Sequence, residues 1–169
     1  MEALDAIMTR KSVREFEGKP LPKETIGNLL AAGMQAPSAR NGQPWHFVVI
    51  TGKETLAKVA EFSQYASMAP SASAGILVCA DTTNAGSRDY FVQDCAAATQ
   101  NILLAAHALS LGGVWTGVYP NEEKMDGFRK LLGIPAHIAP VSFVVVGHPK
   151  KMVMATRRYD GKKVHMEKW

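Results

Sequence analysis

The N-terminal part of the chain carries hydrophobic residues at helical spacing. Residues 2–9 place Leu4, Ile7 and Met8 on one face, which predicts a short helix. Residues 23–34 repeat apolar positions three and four apart, which predicts a second helix with one buried face. Prolines between the two segments predict a turn there, because proline removes a backbone donor and restricts its neighbours.

Later segments are dense in β-branched and aromatic residues and predict strands. These segments are HFVVIT at residues 46–51, AGILVCAD at 74–81 and PVSFVVVGHP at 140–149. The second is apolar on both faces, which is typical of a strand at the centre of a sheet. VWTGVY, at residues 114–119, predicts a further strand or an extended loop. Between the first two strands, residues 54–63 predict a helix.

The longest predicted element is a helix over residues 87–111. Its body, DCAAATQNILLAAHALSL, is apolar nearly all round, so most of its surface should be buried. So small a domain has few elements to cover it, which predicts that a partner subunit does so. Gly112 and Gly113 are predicted to end this helix, and a last helix is predicted over residues 122–132.

Composition places the protein among ordinary globular chains. Its 169 residues, 47% hydrophobic and 20% charged, predict a single domain over residues 1–169. No apolar run approaches the ~20 residues of a membrane span, and the acidic start does not resemble a signal peptide. We therefore expect a cytoplasmic protein with no membrane partner. Cys79 and Cys95 are isolated in apolar surroundings and predict two core thiols.

Several classes of enzyme are disfavoured by missing motifs. The chain has no GxGxxG, no phosphate-binding P-loop, no GxSxG and no HExxH. Its histidines and cysteines do not cluster, so no metal site is predicted. His107 lies in the apolar helix, where a core or interface histidine is a better interpretation than a ligand.

Positive charge is concentrated at the two ends of the chain, within a net charge of +4. Residues 150–169 hold seven Lys or Arg against two acids. A basic nucleic-acid module is one interpretation of this charge. The aromatic residues, however, do not alternate with basic ones as a single-strand binder would need. We therefore expect no nucleic-acid partner.

The stretch TRKSVREF holds four residues that can contact an anion, namely Arg10, Lys11, Ser12 and Arg14. Arginine offers a two-pronged contact to phosphate, and serine adds one donor. One interpretation is therefore an anion clamp. The alternative is a helix end, where cations complement the helix dipole.

Two further stretches are candidates for ligand contact. In APSARNGQPW, Ser38, Asn41 and Gln43 could bind the edge of a heterocycle, and the neighbouring prolines would keep the loop rigid. In GGVWTGVY, Thr116 and Gly117 would let the backbone approach a flat ligand. The alternatives are a connecting loop and a simple start of a strand.

The basic tail is the last candidate. Lys150, Arg157 or Arg158 could make a second contribution to the same phosphate, and a solvated terminus is the alternative.

Taken in order, these stretches resemble the nitroreductase family of FMN-dependent homodimeric oxidoreductases. The matching pieces are TRKSVREF, APSARNGQPWHF, QDCAAATQNILLAAHALSLGG, VWTG and the tail GHP…RRYDGKKVHMEKW. The resemblance covers essentially the whole chain, and the tail is similar to that of the short subgroup.

The resemblance implies an α+β sandwich in which helices flank a mostly antiparallel sheet. It implies an intertwined homodimer, with the long helix in the interface and the C-terminal tail wrapped around the partner. Two FMN molecules would lie in that interface, each touched by both subunits.

The resemblance also implies roles for site residues. Arg10 and Ser12 would hold the flavin phosphate and Arg14 the pyrimidine end, while Thr116 and Gly117 would lie by the N5 edge. Ser38, Asn41 and Gln43 would come from the other subunit. The complete predicted cofactor set is Arg10, Lys11, Ser12, Arg14, Pro37, Ser38, Ala39, Asn41, Gln43, Trp115, Thr116, Gly117 and Arg158.

The implied reaction is a ping-pong transfer of electrons. NADH or NADPH passes hydride to flavin N5, and an electron-poor acceptor such as a nitroaromatic or a quinone then takes the electrons. No protein acid or base is required, so no catalytic residue is predicted. The small-molecule acceptor would lie against Tyr65, Met68 and Phe91.

One departure from the family pattern stands out. Larger members carry an Asn and a Lys before the second strand, whereas this chain reads SQYASMAPSAS there, with no lysine. Flavin potential and choice of acceptor therefore stay open. The alternatives are a flavin enzyme of another reaction, such as dehalogenation or flavin cleavage, and a non-enzymatic flavin or nucleotide binder.

Overall fold

The computed structural model describes residues 1–84, 86–151 and 153–169. At its centre is a four-stranded sheet in which every neighbouring pair is antiparallel. The strands are β1 (Trp45–Ile50), β2 (Ala74–Asp81), β3 (Gly112–Gly117) and β4 (Ile138–Gly147). Their spatial order is β1-β2-β4-β3, so β2 and β4 occupy the middle.

Five α-helices surround this sheet in the described part of the chain. They are α1 (Ala3–Thr9), α2 (Lys23–Met34), α3 (Lys53–Phe62), α4 (Phe91–Ala108) and α5 (Glu122–Leu132). The bounds predicted for α2, α5 and β2 are confirmed, and those of α1, α3, β1 and β4 differ by one or two residues. The predicted central position of β2 is also confirmed.

The side chains of β2 alternate between the two faces of the sheet, and each face packs against its own hydrophobic cluster. Leu77 and Cys79 face a cluster that includes Leu56 of α3 and Phe128 of α5. The intervening residues of β2 face a second cluster, which includes Leu29 of α2 and Ile102 of α4. Helices therefore cover both faces of the sheet, and successive side chains of a strand point to opposite faces. The α+β sandwich that the family resemblance implies is confirmed.

The prediction for the long helix is wrong at both ends. Residues 87–90 form turns before α4, where the backbone N–H of Tyr90 donates to the carbonyl of Ser87 at 2.9 Å. The helix ends at Ala108, and Ser110 adopts a left-handed φ of 60°. Apolar residues continue beyond the helix, but Leu109 is 46% exposed and Leu111 is buried at the approach to β3, so apolar character alone did not mark the end of α4.

Gly112 and Gly113 do not end the helix, contrary to the prediction, because they open β3. The close approach of the N-terminal segment explains the glycine at the first position. A Cβ built on Gly112 would lie 2.7 Å from Cγ1 of Val13, which is closer than packed carbon atoms can come. Glycine thus lets the N-terminal segment lie directly on the edge of the sheet.

An apolar surface remains uncovered where α1 lies beside α4. Leu4, Ile7 and Met8 of α1 are exposed, and Ala6 is the buried residue of that helix. A groove of about 390 Å³ separates the two helices, and its walls include Leu104 and Ala105 of α4. Contiguous apolar surface of this kind commonly marks an interaction site.

In the described ranges, no helix combines the length and apolar character needed to cross a membrane.

Candidate functional site

The segment TRKSVREF lies along the free edge of β3. Helix α1 ends at Thr9, and the backbone of Arg10 turns to an extended conformation with ψ at 135°. The N–H of Val13 then donates to the carbonyl of Gly113 at 3.0 Å, and Ser12 pairs with the same glycine in a parallel bridge. Because Val13 is buried, the sheet edge holds this segment in place.

The residues after β4 lie on the other side of the same segment. The N–H of Glu17 donates to the carbonyl of His148 at 2.9 Å, and the N–H of Lys150 donates to the carbonyl of Glu15 at 3.0 Å. Phe16, only 1% exposed, is buried between these contacts. The beginning of the C-terminal tail is therefore fixed against the N-terminal segment.

This arrangement brings basic residues from both chain ends around one cavity of about 270 Å³. Four cations line it, and none of its described lining residues is acidic; the lining is Ile7, Met8, Arg10, Lys11, Ala155, Thr156, Arg157, Arg158 and Tyr159. The Lys11 ammonium donates to the Thr156 hydroxyl at 3.4 Å. Lys150, the third tail candidate, is exposed and does not line this cavity.

Arg10 is the most constrained of these cations. Its Nε is buried and has no hydrogen-bond partner among the described residues. Burial, and then the charge of Arg158, lower the pKa of its guanidinium. Like charges at short range and an unsatisfied buried donor are both unfavourable in the free protein. An anion in this cavity would relieve both, so the cluster fits a phosphate.

His107 of α4 is in hydrogen-bond contact with the C-terminal end of α1, next to Arg10 in the sequence. Its Nε2 lies 2.8 Å from the Thr9 hydroxyl, which is also 2.5 Å from the carbonyl of Asp5. If the single hydroxyl proton is donated to that carbonyl, His107 must be the donor to Thr9. Burial, and then the charge of Arg10, lower the pKa of the imidazole. The expectation of a hydrogen-bonded histidine rather than a metal ligand agrees with this contact.

The loop that contains Ser38, Asn41 and Gln43 is held in an unusual backbone conformation. Arg40, Asn41 and Gln43 all have positive φ, at 51°, 55° and 46°. Each such residue is destabilised by roughly 1–2 kcal/mol relative to a right-handed conformation. The Ser38 hydroxyl accepts from the N–H of Gln43 at 2.9 Å, and the Gln43 amide donates to the Asn41 side chain at 2.9 Å. These contacts fix the loop.

A buried carboxylate anchors this loop to the central helix. Oδ1 of Asp94 accepts from the N–H of Ala39 at 2.9 Å, and Asp94 is only 5% exposed. On the other side, the Asn84 amide donates to the carbonyl of Gly42 at 2.7 Å. A cavity of about 300 Å³ borders Asp94 together with Pro37, Ser38 and Ala39. This cavity shares no lining residue with the one around Arg10.

The segment Trp115 to Gly117 ends β3, and its first and last residues are exposed. Thr116 is buried, and its hydroxyl donates to the carbonyl of Phe143 at 3.0 Å, so this hydroxyl is hydrogen-bonded within the sheet. Gly117 is exposed, and a Cβ built on it would meet nothing within 4 Å. Trp115 is 38% exposed. A flat molecule could therefore lie against this strand end.

The three residues predicted to line an acceptor pocket are not gathered in one cavity. Tyr65 is exposed and borders a cavity of about 400 Å³ beside α5. Met68 packs partly against the core on the α3 and α5 side of the sheet. Phe91 packs edge to face on Tyr119, with ring centroids 5.4 Å apart.

Two residues with clear roles were missed by sequence reasoning. Asp94 could have been found, because a carboxylate inside an otherwise apolar helix requires a buried partner. Lys124 gave no local signal. Its ammonium donates to the carbonyl of Gly117 at 3.2 Å, a contact that depends on how α5 packs against α3 and β4.

The two cysteines, Cys79 and Cys95, are both free and buried, as predicted. Burial raises the pKa of each thiol to about 12, so neither is a thiolate at neutral pH.

Comparisons with known proteins agree with this geometry. The model of the family described as "Nitroreductase family" matches residues 7–74 and 65–148. A protein of Methanothermobacter thermautotrophicus, provisionally named an NADH dehydrogenase/NAD(P)H nitroreductase, is 43% identical over 169 residues. That match covers 100% of this chain and 88% of the relative.

Solved structures show the same fold. One from Parabacteroides distasonis, provisionally named an NADH dehydrogenase/NAD(P)H nitroreductase, superposes with a TM-score of 0.95 at 38% identity, over 99% of this chain and 98% of the other. A nitroreductase from Desulfovibrio desulfuricans, also provisionally named and solved in complex with FMN, has a TM-score of 0.85 at 31% identity. That match covers 100% of this chain and 98% of the other.

Proposed function

The chain belongs to the nitroreductase family and is an NAD(P)H-dependent flavin oxidoreductase with FMN as cofactor, and we propose that it reduces electron-poor small molecules by a ping-pong mechanism. The acceptors that fit this proposal are nitroaromatics and quinones. When bound, FMN supplies the redox chemistry, taking hydride from NADH or NADPH and passing electrons to the acceptor. The protein's own residues bind and orient the reactants.

The observation that carries this proposal is the carboxylate-free basic cavity around Arg10. The unpartnered Nε of Arg10, beside the charge of Arg158, fits a dianionic phosphate. We assign Arg10, Lys11 and Ser12 to the FMN phosphate, with Arg158 as the contact from the tail. Arg157 borders the same cavity and is the second tail candidate. Guanidinium groups bind phosphate with charge-assisted hydrogen bonds, which are stronger than neutral ones.

The end of β3 is the proposed surface for the flavin ring. Trp115, Thr116 and Gly117 would approach it with their backbone, which the open space over Gly117 supports. Arg14 is exposed two residues beyond Ser12, and alternate residues of an extended segment share one side. We assign Arg14 to the pyrimidine end of the ring, where a cation would favour the reduced form.

A second copy of the chain would complete each site. In this proposal Pro37, Ser38, Ala39, Asn41 and Gln43 contact the FMN of the partner. Supporting this, the loop borders a cavity separate from the basic one of its own chain. The uncovered groove between α1 and α4 supports a homodimer formed through these helices. The exposed tail would then wrap the partner.

The acceptor would enter beside Tyr65, Met68 and Phe91, as predicted from the sequence. No side-chain acid or base is assigned, because hydride transfer through a flavin needs none. A cytoplasmic location, where reduced nicotinamides are available, is part of the same proposal.

An absorption spectrum of the purified protein tests the proposal most directly. We expect flavin bands that bleach under anaerobic NADH or NADPH and return when a nitroaromatic or a quinone is added. A protein that binds added FMN yet is not bleached by either nicotinamide would be a flavin binder rather than this oxidoreductase. A colourless protein that also fails to bind added FMN would overturn the proposed site.

A further inference from the structure

The ammonium group of Lys124 is held at the end of β3 by two contacts. It donates to the carbonyl of Gly117 at 3.2 Å. It also lies 5.1 Å from the centroid of the Tyr65 ring, within the range of a cation–π contact. The two contacts come from different elements, so they restrict a side chain that would otherwise sample many rotamers.

The start of α5 directs Lys124 toward this position. Asn121 caps the helix, and its side-chain oxygen accepts from the N–H of Lys124 at 2.9 Å. Lysine therefore occupies the first turn in a defined orientation. Helical side chains tilt toward the N-terminus of their helix, which here is the end that follows Gly117.

Lys124 forms no ion pair with an acid among the described residues. Ion pairs among the described residues link Lys19 to Glu17 and Arg129 to Asp126, and none involves Lys124. Glu61 and Glu123 border the same cavity of about 400 Å³, but their carboxylates lie more than 4 Å from this ammonium. The ammonium of Lys124 therefore contacts the carbonyl of Gly117 without being held in an ion pair.

We propose that Lys124 raises the reduction potential of the bound FMN. This inference rests on the proposed function, in which Gly117 lies against the flavin ring. Oxidised FMN has a neutral ring, and addition of a hydride from NAD(P)H gives a ring that carries one negative charge and leaves NAD(P)⁺. A cation fixed beside that ring stabilises the reduced form more than the oxidised form.

The contact between Lys124 and Tyr65 also concerns the segment before β2 that departs from the family pattern. The segment SQYASMAPSAS contains no lysine, yet its Tyr65 packs against the ammonium of Lys124. A positive charge is thus supplied to this segment from α5, a different part of the chain.

The test compares three variants with the unchanged protein, all loaded with FMN. Lys124→Met removes the charge and keeps most of the side-chain volume, and Lys124→Arg keeps the charge. Lys130→Met removes an exposed lysine from the last turn of the same helix, away from the cavity. The midpoint potential of each is measured anaerobically against a reference dye, and the dissociation constants of oxidised and reduced FMN are measured separately.

For Lys124→Met we expect the preference for reduced over oxidised FMN to fall by about 5-fold, as one screened charge at several ångströms would give. That change corresponds to a potential about 20 mV lower. Lys124→Arg and Lys130→Met should stay close to the unchanged protein.

An unchanged potential in Lys124→Met would overturn the role of Lys124 and leave the proposed function intact. An equal fall in Lys130→Met would also overturn it, because the effect would then be that of general surface charge. If the unchanged protein binds no FMN, the proposed function and this inference fail together.

Discussion

The carboxylate of Asp94, in the first turn of α4, accepts a hydrogen bond from the backbone N–H of Ala39 at 2.9 Å. The contact joins the central helix to a loop with three left-handed residues, Arg40, Asn41 and Gln43. One buried acid therefore helps to fix the conformation of a loop proposed to contact flavin.

Replacing Asp94 should both destabilise the fold and weaken FMN binding. Asp94→Ala leaves the partly buried N–H of Ala39 without its acceptor, so we expect a loss of about 1–3 kcal/mol in the free energy of unfolding. FMN affinity should fall by about tenfold, or ~1.4 kcal/mol, because the loop is no longer fixed. Asp94→Asn keeps an acceptor oxygen and should retain most of the stability and most of the FMN affinity. Chemical unfolding and fluorescence titration with FMN measure the two effects.

Asp89→Ala is the matched control, because Asp89 is exposed in the turn that precedes α4. It should change neither quantity. If Asp94→Ala loses stability but binds FMN as the unchanged protein does, the loop does not contribute to the flavin site.

Arg10 should affect binding and stability in opposite directions. Arg10→Ala removes a proposed phosphate contact, so FMN affinity should fall by roughly 10- to 100-fold, the range for a charged hydrogen bond. The flavin-free protein should be no less stable than before, because the substitution also removes the repulsion between Arg10 and Arg158 and an unsatisfied donor. Calorimetric titration and thermal melts of the flavin-free protein give both numbers. Arg88→Ala, an exposed arginine outside the cavity, should leave both values unchanged.

Two glycines of the same strand should respond differently to alanine. At Gly112 a new Cβ would lie 2.7 Å from Cγ1 of Val13, so Gly112→Ala should destabilise the fold by about 1–3 kcal/mol. Gly117 has open space, so Gly117→Ala should change stability by less than about 0.5 kcal/mol. It should nevertheless weaken FMN binding, because the added methyl group occupies the proposed ring surface. Equal FMN affinity in Gly117→Ala would place the ring elsewhere.

His107 should make the flavin-free protein less stable in mild acid. Burial, and then the charge of Arg10, lower its pKa in the folded state below the ordinary value of 6.5. As pH falls through that ordinary value, the unfolded chain binds the proton first, so the free energy of unfolding decreases. The decrease ends below the lowered folded pKa, where both states are protonated. His107→Gln should reduce this pH dependence, as measured by urea unfolding from pH 8 to pH 5. If the free energy of unfolding of the unchanged protein, relative to that of His107→Gln, rises as the pH falls, the lowered pKa of His107 is contradicted.

The apolar groove between α1 and α4 should be the dimer contact. Ile7 is 54% exposed and borders the groove, so Ile7→Glu would place a charge there and should shift the protein toward monomers. Sedimentation at several concentrations measures the shift. Lys58→Gln is a control, because it makes the same change in net charge at an exposed site on α3. A protein that sediments as a monomer before any substitution would contradict the proposed dimer.

Local sequence patterns predict much of this fold. A run that is apolar on both faces predicted β2, and the bounds of α2 and α5 followed from helical spacing with proline and glycine nearby. These predictions succeed because side-chain periodicity and turn residues act over a few positions. The family resemblance, carried by segments such as TRKSVREF, pointed to the cofactor in the same way.

Tertiary packing determines the features that local patterns do not predict. The ends of α4 depend on the turn through Ser87 and on the left-handed Ser110, and Gly112 is needed because Val13 packs on it. Neither fact has a signal in the nearby residues, since local apolar character is the same in a helix, a turn or a strand start.

The site shows the same division. Sequence alone determined that this protein carries basic residues at both ends and a polar loop between prolines. Only the tertiary structure brought Arg10 beside Arg158 and placed Lys124 on the carbonyl of Gly117. The physical reason is that charge interactions depend on distance in space, which is set by the sheet edge and by helix packing rather than by separation along the chain.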